Sequence, residues 1–235
     1  MTGDEPMVKL LKTYIRGFDD EIGGGIPLGH VVLITGSPGT MKSTLAYSIL
    51  YNAVKREGKS GMYISLEQSS RSLMFQMVRC GMKESLGEKL LIVDLAKIRK
   101  ELDENKDKPW LSILRKHIQF ILDKNPFNII VIDSLPVLEI LTKLGDKRTQ
   151  FFHFFEWLRD LKLTSFIITE ISDDPTVLRD EEFLADGVIH LSMKQVGDID
   201  IHRRIRCIKM RGMDHNTSVF TLEYKGNEFR VTRAI

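Results

Sequence analysis

Four apolar residues, Val31, Val32, Leu33 and Ile34, run through Thr35 straight into Gly36-Ser37-Pro38-Gly39-Thr40-Met41-Lys42-Ser43, and a helical pattern begins at once with Thr44-Leu45-Ala46. A buried strand, a glycine-containing turn and a helix N-terminus in that order form a phosphate-binding loop. The backbone amides of such a turn line a concave nest, and the helix end adds partial positive charge. We therefore read Ser37, Pro38, Gly39, Thr40, Met41, Lys42, Ser43 and Thr44 as nucleotide-binding. Lys42 is placed to reach the β- and γ-phosphates, and the Ser43 hydroxyl to hold Mg²⁺. Met41 occupies the place where the pattern GxxxxGK[ST] has glycine. If that place demands positive φ, a side chain there costs about 1 kcal/mol.

Further Val- and Ile-rich runs at 62–66, 91–93, 129–132 and 165–169 alternate with helical patterns at 42–56, 71–80, 110–123 and 150–160. Continuous apolar strands are buried on both faces, so this alternation predicts a mostly parallel sheet flanked by helices. The stretches 187–193, 203–210, 219–224 and 229–232 are separated by turn residues and predict a C-terminal antiparallel meander. The fold class is α/β, and residues 1–235 read as a single domain without a linker. Lys+Arg 34 against Asp+Glu 32 leaves a net charge of +2, too even for a dedicated basic nucleic-acid module. No apolar run reaches the roughly 18 residues of a membrane span, and the N-terminus has no apolar leader. Cys80 and Cys207 are too few for a disulfide framework and read as reduced, apolar core residues of a cytoplasmic protein.

Two strands end in acids. Ile129-Ile130-Val131-Ile132-Asp133-Ser134 has the form of a Walker B strand, whose carboxylate holds Mg²⁺, through water, opposite the phosphate loop. Met62-Tyr63-Ile64-Ser65-Leu66-Glu67 is the second. If its strand neighbours the phosphate-loop strand, Glu67 can polarise an attacking water. The bland alternatives are a helix cap for Asp133 and a dipole-stabilised helix N-terminus for Glu67, with Ser69 and Ser70 as nearby caps.

The opening segment, Thr13 to Asp20 and Gly23-Gly24-Gly25-Ile26-Pro27-Leu28-Gly29, resembles the entry segment of KaiC-type ATPases in the RecA superfamily. The same family continues with a phosphate loop, a strand ending Glu-Glu, a Walker B strand ending Asp-Ser and a strand ending like Thr169-Glu170. A stretch like Glu181 to Val188 follows, and a Lys-x-Arg-Gly-x-x-His element, here Lys209, Arg211, Gly212 and His215, closes the series. The resemblance runs from Thr13 to the end, in order, and implies a single-domain, archaeal-type member with a RecA-like P-loop fold. It implies ATP and Mg²⁺ as cofactors and self-assembly into a hexameric ring or filament, with ATP at the subunit interface. Lys209 and Arg211 then reach a neighbour's nucleotide; residues i and i+2 of a strand share a face, so the two cations project together. The alternative for them is a solvated polar strand face. His215 suits a phosphate contact or a local turn hydrogen bond equally.

Three departures from the family pattern bear on activity. Met41 replaces the loop glycine, Gln68 replaces the second acid of the Glu-Glu pair, and Glu182, Phe183, Leu184 and Ala185 bring no hydroxyl to the stretch where the clock relatives autophosphorylate. The expectation is a slow, Mg²⁺-dependent ATPase with Glu67 as base and without autokinase activity. One alternative is an ATP-binding regulatory protein with little hydrolysis, like the archaellum accessory ATPase FlaH, with an unidentified protein partner. Another is a recombination accessory protein resembling the RadA paralogs and binding single-stranded DNA. In the loop at 173–182, Arg179 stands among five acids, which disfavours a DNA grip. Lys143, Lys147 and Arg148 leave the other loop open to it. Phe151, Phe152, Phe154, Phe155 and Trp157 read as core of a helix packed on the sheet rather than a base-stacking platform. The charged stretch 97–108 reads as a solvated loop.

Overall fold

Strands that are apolar on both faces need cover on both, and the chain supplies it with helices placed between them. The structure, a computed structural model, describes residues 8–95, 110–141, 147–170 and 180–233. Its strands are β1 (Leu10–Leu11), β2 (Ile26–Pro27), β3 (Val31–Gly36), β4 (Gly61–Ser65), β5 (Leu90–Asp94), β6 (Ile129–Asp133), β7 (Thr164–Glu170), β8 (Gly187–Val196), β9 (Asp200–Met210), β10 (Phe220–Lys225) and β11 (Glu228–Arg233). The helices are α1 (Lys42–Glu57), α2 (Ser70–Arg79), α3 (Trp110–Lys124), α4 (Leu135–Leu141), α5 (Lys147–Asp160) and α6 (Asp180–Leu184). Nine strands form one sheet in the order β11-β10-β9-β8-β3-β7-β6-β4-β5, with the phosphate-loop strand near its middle. From β8 to β5 every pairing is parallel; from β8 outward to β11 every pairing is antiparallel.

Successive residues of the central strands serve opposite cores. Val32, Ile34, Tyr63, Ile129, Val131, Phe166 and Ile168 join α1 and α2 in one cluster. Val31, Leu33, Met62, Ile64, Ile130, Ile132 and Ile167 join α3, α4 and α5 in the other. Phe151, Phe154 and Phe155 are buried in that second cluster, as expected of a helix packed on the sheet, while Phe152 faces outward.

Several boundaries differ from the sequence reading. β8 is parallel to β3 as well as antiparallel to β9, so it belongs to both halves of the sheet. The β8–β9 hairpin continues to Val196 and Asp200, where side chains on both faces are exposed. Its backbone ladder, with Gln195 Nε2 donating to the Asp198 carbonyl at 3.3 Å, holds that part without burial. β1, β2 and α4 are too short to give a periodic signal. Cys207 is buried, but Cys80 is only half-buried, at the end of α2, which corrects its reading as core. Segments 97–108, 142–146 and 171–179, with Lys143 and Arg179, lie outside the described residues.

Candidate nucleotide site

The phosphate loop leaves β3 at a place only glycine can occupy. Gly36 has φ +148°, and a Cβ there would sit 2.1 Å from the Leu191 carbonyl oxygen of β8. Five residues on, Met41 caps α1 in the left-handed region, at φ 73° and ψ 29°. This is the positive-φ position at which the motif has glycine, now carrying a side chain half-buried against the α1-side core. The Met41 carbonyl still accepts the first helical bond, from the Leu45 amide at 2.9 Å. Lys42 folds its buried side chain over the loop and donates to the carbonyls of Gly36 at 2.8 Å and Ser37 at 3.0 Å. Burial lowers its pKa, opposed by the charges of Glu170, Asp133 and Glu67. Thr40 Oγ1 donates to the Ser37 carbonyl at 2.8 Å, whereas the buried Ser37 hydroxyl has no protein partner.

At the end of β6, Asp133 is buried beside this loop. Burial raises its carboxyl pKa, while the hydroxyls of Tyr63 and Ser43 pull it back down. Tyr63 donates to Asp133 Oδ2 at 2.5 Å. Glu67 reaches the site by a route other than the one expected. Its strand β4 does not neighbour β3; β6 and β7 stand between them. The chain after β4 crosses toward β6 instead, with the Leu66 amide bonded to the Asp133 carbonyl at 2.7 Å. The Ser134 hydroxyl then donates to the Glu67 carboxylate.

Pro38, Gly39, Met41, Lys42, Ser43, Thr44, Glu67 and Asp133 line a cleft of about 440 Å³ at the C-terminal ends of the parallel strands, where ligands of open α/β sheets bind. Glu170, Gln76 and Arg203 line it too. Arg203, from β9, donates to the Gly39 carbonyl at 3.4 Å. Gln76 and Arg203 stand in no motif of the sequence, whereas Glu170 ends the strand that closes with Thr169-Glu170. A carboxylate and a hydroxyl are the hard oxygen donors that Mg²⁺ prefers, and a buried lysine with an unpartnered loop hydroxyl suits phosphate oxygens. The residues therefore fit a magnesium nucleotide.

The basic element lies elsewhere. Lys209 donates to the carbonyls of Glu182 at 3.1 Å, Phe183 at 3.2 Å and Ala185 at 2.7 Å, closing the C-terminal end of α6. Arg211 donates to Asp186 Oδ1 at 2.8 Å and to the Phe183 carbonyl at 2.9 Å. Burial alone would raise the Asp186 carboxyl; hydrogen bonds from Arg159, the Val31 amide and Arg211 hold it below its ordinary value. His215 Nδ1 lies 3.2 Å from the Met213 carbonyl, the local turn contact. None of the three lines the cleft of its own chain.

The sequence model of the family described as "ATPase: KaiC" matches residues 11–234. A UPF0273 protein from Aeropyrum pernix is 30% identical over 229 residues, covering 89% of this chain and 88% of that protein. The circadian clock protein KaiC2 of Synechocystis is 26% identical over 234 residues, 96% of this chain. The chain spans only 41% of the length of that clock protein. Among solved structures, a KaiC-like protein from Pyrococcus horikoshii superposes with a TM-score of 0.79 at 29% identity, covering 96% of this chain and 99% of the other.

Proposed function

This chain belongs to the KaiC ATPase family, and from that premise we propose that it is a slow, Mg²⁺-dependent ATPase that acts as an oligomer with nucleotide at subunit interfaces. One observation carries the reading: Lys42 and Ser43, Glu67, and Asp133, from three separate stretches of chain, line one cleft. Magnesium, when bound, supplies charge neutralisation between the phosphates. The protein's own residues do the rest. The loop amides and Lys42 hold the phosphates, Ser43 and Asp133 hold the cation, and Glu67 orients a water and takes its proton. Ser134 fixes Glu67 for that task. With Gln68 in place of a second acid, no other carboxylate of that strand end shares the work, which supports slow turnover.

The partner subunit is needed because Lys209 and Arg211 are out of reach of their own cleft. In trans they can stabilise charge developing on the departing phosphoryl group. A passive ATP-binding role is the second reading, favoured by the engagement of Arg211 with Asp186 of its own chain. Light scattering coupled to size exclusion, with and without ATP and Mg²⁺, and phosphate release from the same preparation separate the two. Assembly with turnover supports the ATPase; assembly without turnover supports the binder; neither assembly nor Mg²⁺-dependent binding at millimolar ATP overturns both.

A further inference from the structure

Tyr63 is fully buried in the middle of β4, its ring 5.6 Å from that of Tyr47. A phenylalanine would fill the same volume without burying a hydroxyl, and a buried hydroxyl is costly unless it has a partner. The partner is set by register. Tyr63 lies opposite Val131 and Ser65 opposite Asp133, so Asp133 stands two residues further along β6 on the same face. An aromatic side chain spans that diagonal. The phenol arrives from below, and its single proton goes to Asp133 Oδ2 at 2.5 Å. The Ser43 hydroxyl adjoins both groups. One phenol thus stands beneath both residues read as magnesium ligands.

We propose that Tyr63 is the positioning residue of the metal site: its hydroxyl fixes the rotation of the Asp133 carboxylate and thereby sets the affinity for the divalent cation that accompanies the nucleotide. The inference rests on the nucleotide reading above. Engaging one carboxylate oxygen leaves the other for the cleft that Asp133 lines, and hydrogen bonds of this kind are worth about 10–100-fold in metal affinity.

The test is Mg²⁺ titration of ADP binding, followed with a fluorescent ADP, in wild type, Tyr63→Phe and Tyr47→Phe. Tyr47 is a buried tyrosine whose hydroxyl contacts Met74 instead. Tyr63→Phe is expected to raise the half-saturating Mg²⁺ about tenfold or more while leaving ADP affinity in EDTA within twofold of wild type. Tyr47→Phe should leave both unchanged. Equal Mg²⁺ midpoints in wild type and Tyr63→Phe overturn the role of Tyr63 and leave the nucleotide reading standing; a wild type without Mg²⁺ dependence overturns both. Should Tyr63→Phe fail to fold, wild type labelled with ¹³C at the Tyr63 ring answers the question. Its phenolic carbon signal should move on adding Mg²⁺ to the ADP complex, and an unmoved signal overturns the inference.

Discussion

Arg211 donates to Asp186 Oδ1 at 2.8 Å, at the end of the sheet where β3 begins. The phosphate loop leaves the other end of that six-residue strand. At about 3.3 Å per residue the two ends lie roughly 16 Å apart, farther than an arginine side chain spans. On the proposed reading, Arg211 therefore acts on another subunit's nucleotide. Glu67→Gln alone should lower turnover by about two orders of magnitude or more, and Arg211→Ala should lower it while keeping Lys42-dependent binding. Mixed, the two variants should recover part of the activity, because one lends its arginine and the other its base. Phosphate release from co-assembled mixtures is the measurement; no recovery would leave Arg211 a residue of its own subunit's fold.

Met41→Gly is expected to hold or tighten ATP binding, since glycine removes a left-handed backbone cost of about 1 kcal/mol. The half-buried side chain also packs on the core, so the same change forfeits apolar contact of similar size. Affinity should hold while the melting temperature stays level or falls slightly. Calorimetric titration beside a thermal melt checks both. A several-fold loss of affinity would mean that the side chain itself touches the nucleotide.

Asp133 carries a pH signature in the absence of metal. Burial raises its folded pKa above the ordinary 3.8, so its charged form costs stability above that raised value. The cost fades as pH falls toward 3.8. Asp133→Asn keeps the shape and can still accept the Tyr63 proton. It should melt higher than wild type at pH 7 without Mg²⁺, and the gap should close toward pH 4. Added Mg²⁺ and nucleotide should reverse the order, stabilising wild type more than the variant.

Asp186 has the opposite sign. Its folded pKa lies below 3.8, so its stabilisation is complete above that value and is lost as pH falls through the folded pKa. Asp186→Asn should lower stability at pH 7 by about 1–3 kcal/mol, because Arg159, Arg211 and the Val31 amide lose a charged acceptor. Denaturant melts from pH 7 to pH 2.5 should show the two proteins converging below pH 3.8.

Much of this molecule was legible in one dimension. Local rules sufficed for the strand–loop–helix at Gly36 to Ser43, for the strand that ends in Asp133 and for the buried aromatic helix, whereas β4 stops at Ser65, two residues short of Glu67. Each depends on spacing along the chain, where backbone geometry makes the period and the turn chemistry directly readable. The path of Glu67 was not readable, because strand order is a choice made in three dimensions: β4 pairs with β6, and the residue enters the cleft past Asp133 and Ser134 rather than from a strand next to β3. Arg203 and Gln76 come to the cleft from elements with no motif of their own. The bond from Tyr63 to Asp133 exists only because two strands lie in one register. The order of apolar and polar residues by itself determined which segments become strand, helix and phosphate loop, since those preferences are settled within a few neighbouring residues. Only the tertiary structure decided which side chains meet at the cleft and which cations turn away from it, since contacts between distant residues depend on strand order and register, which no local spacing encodes.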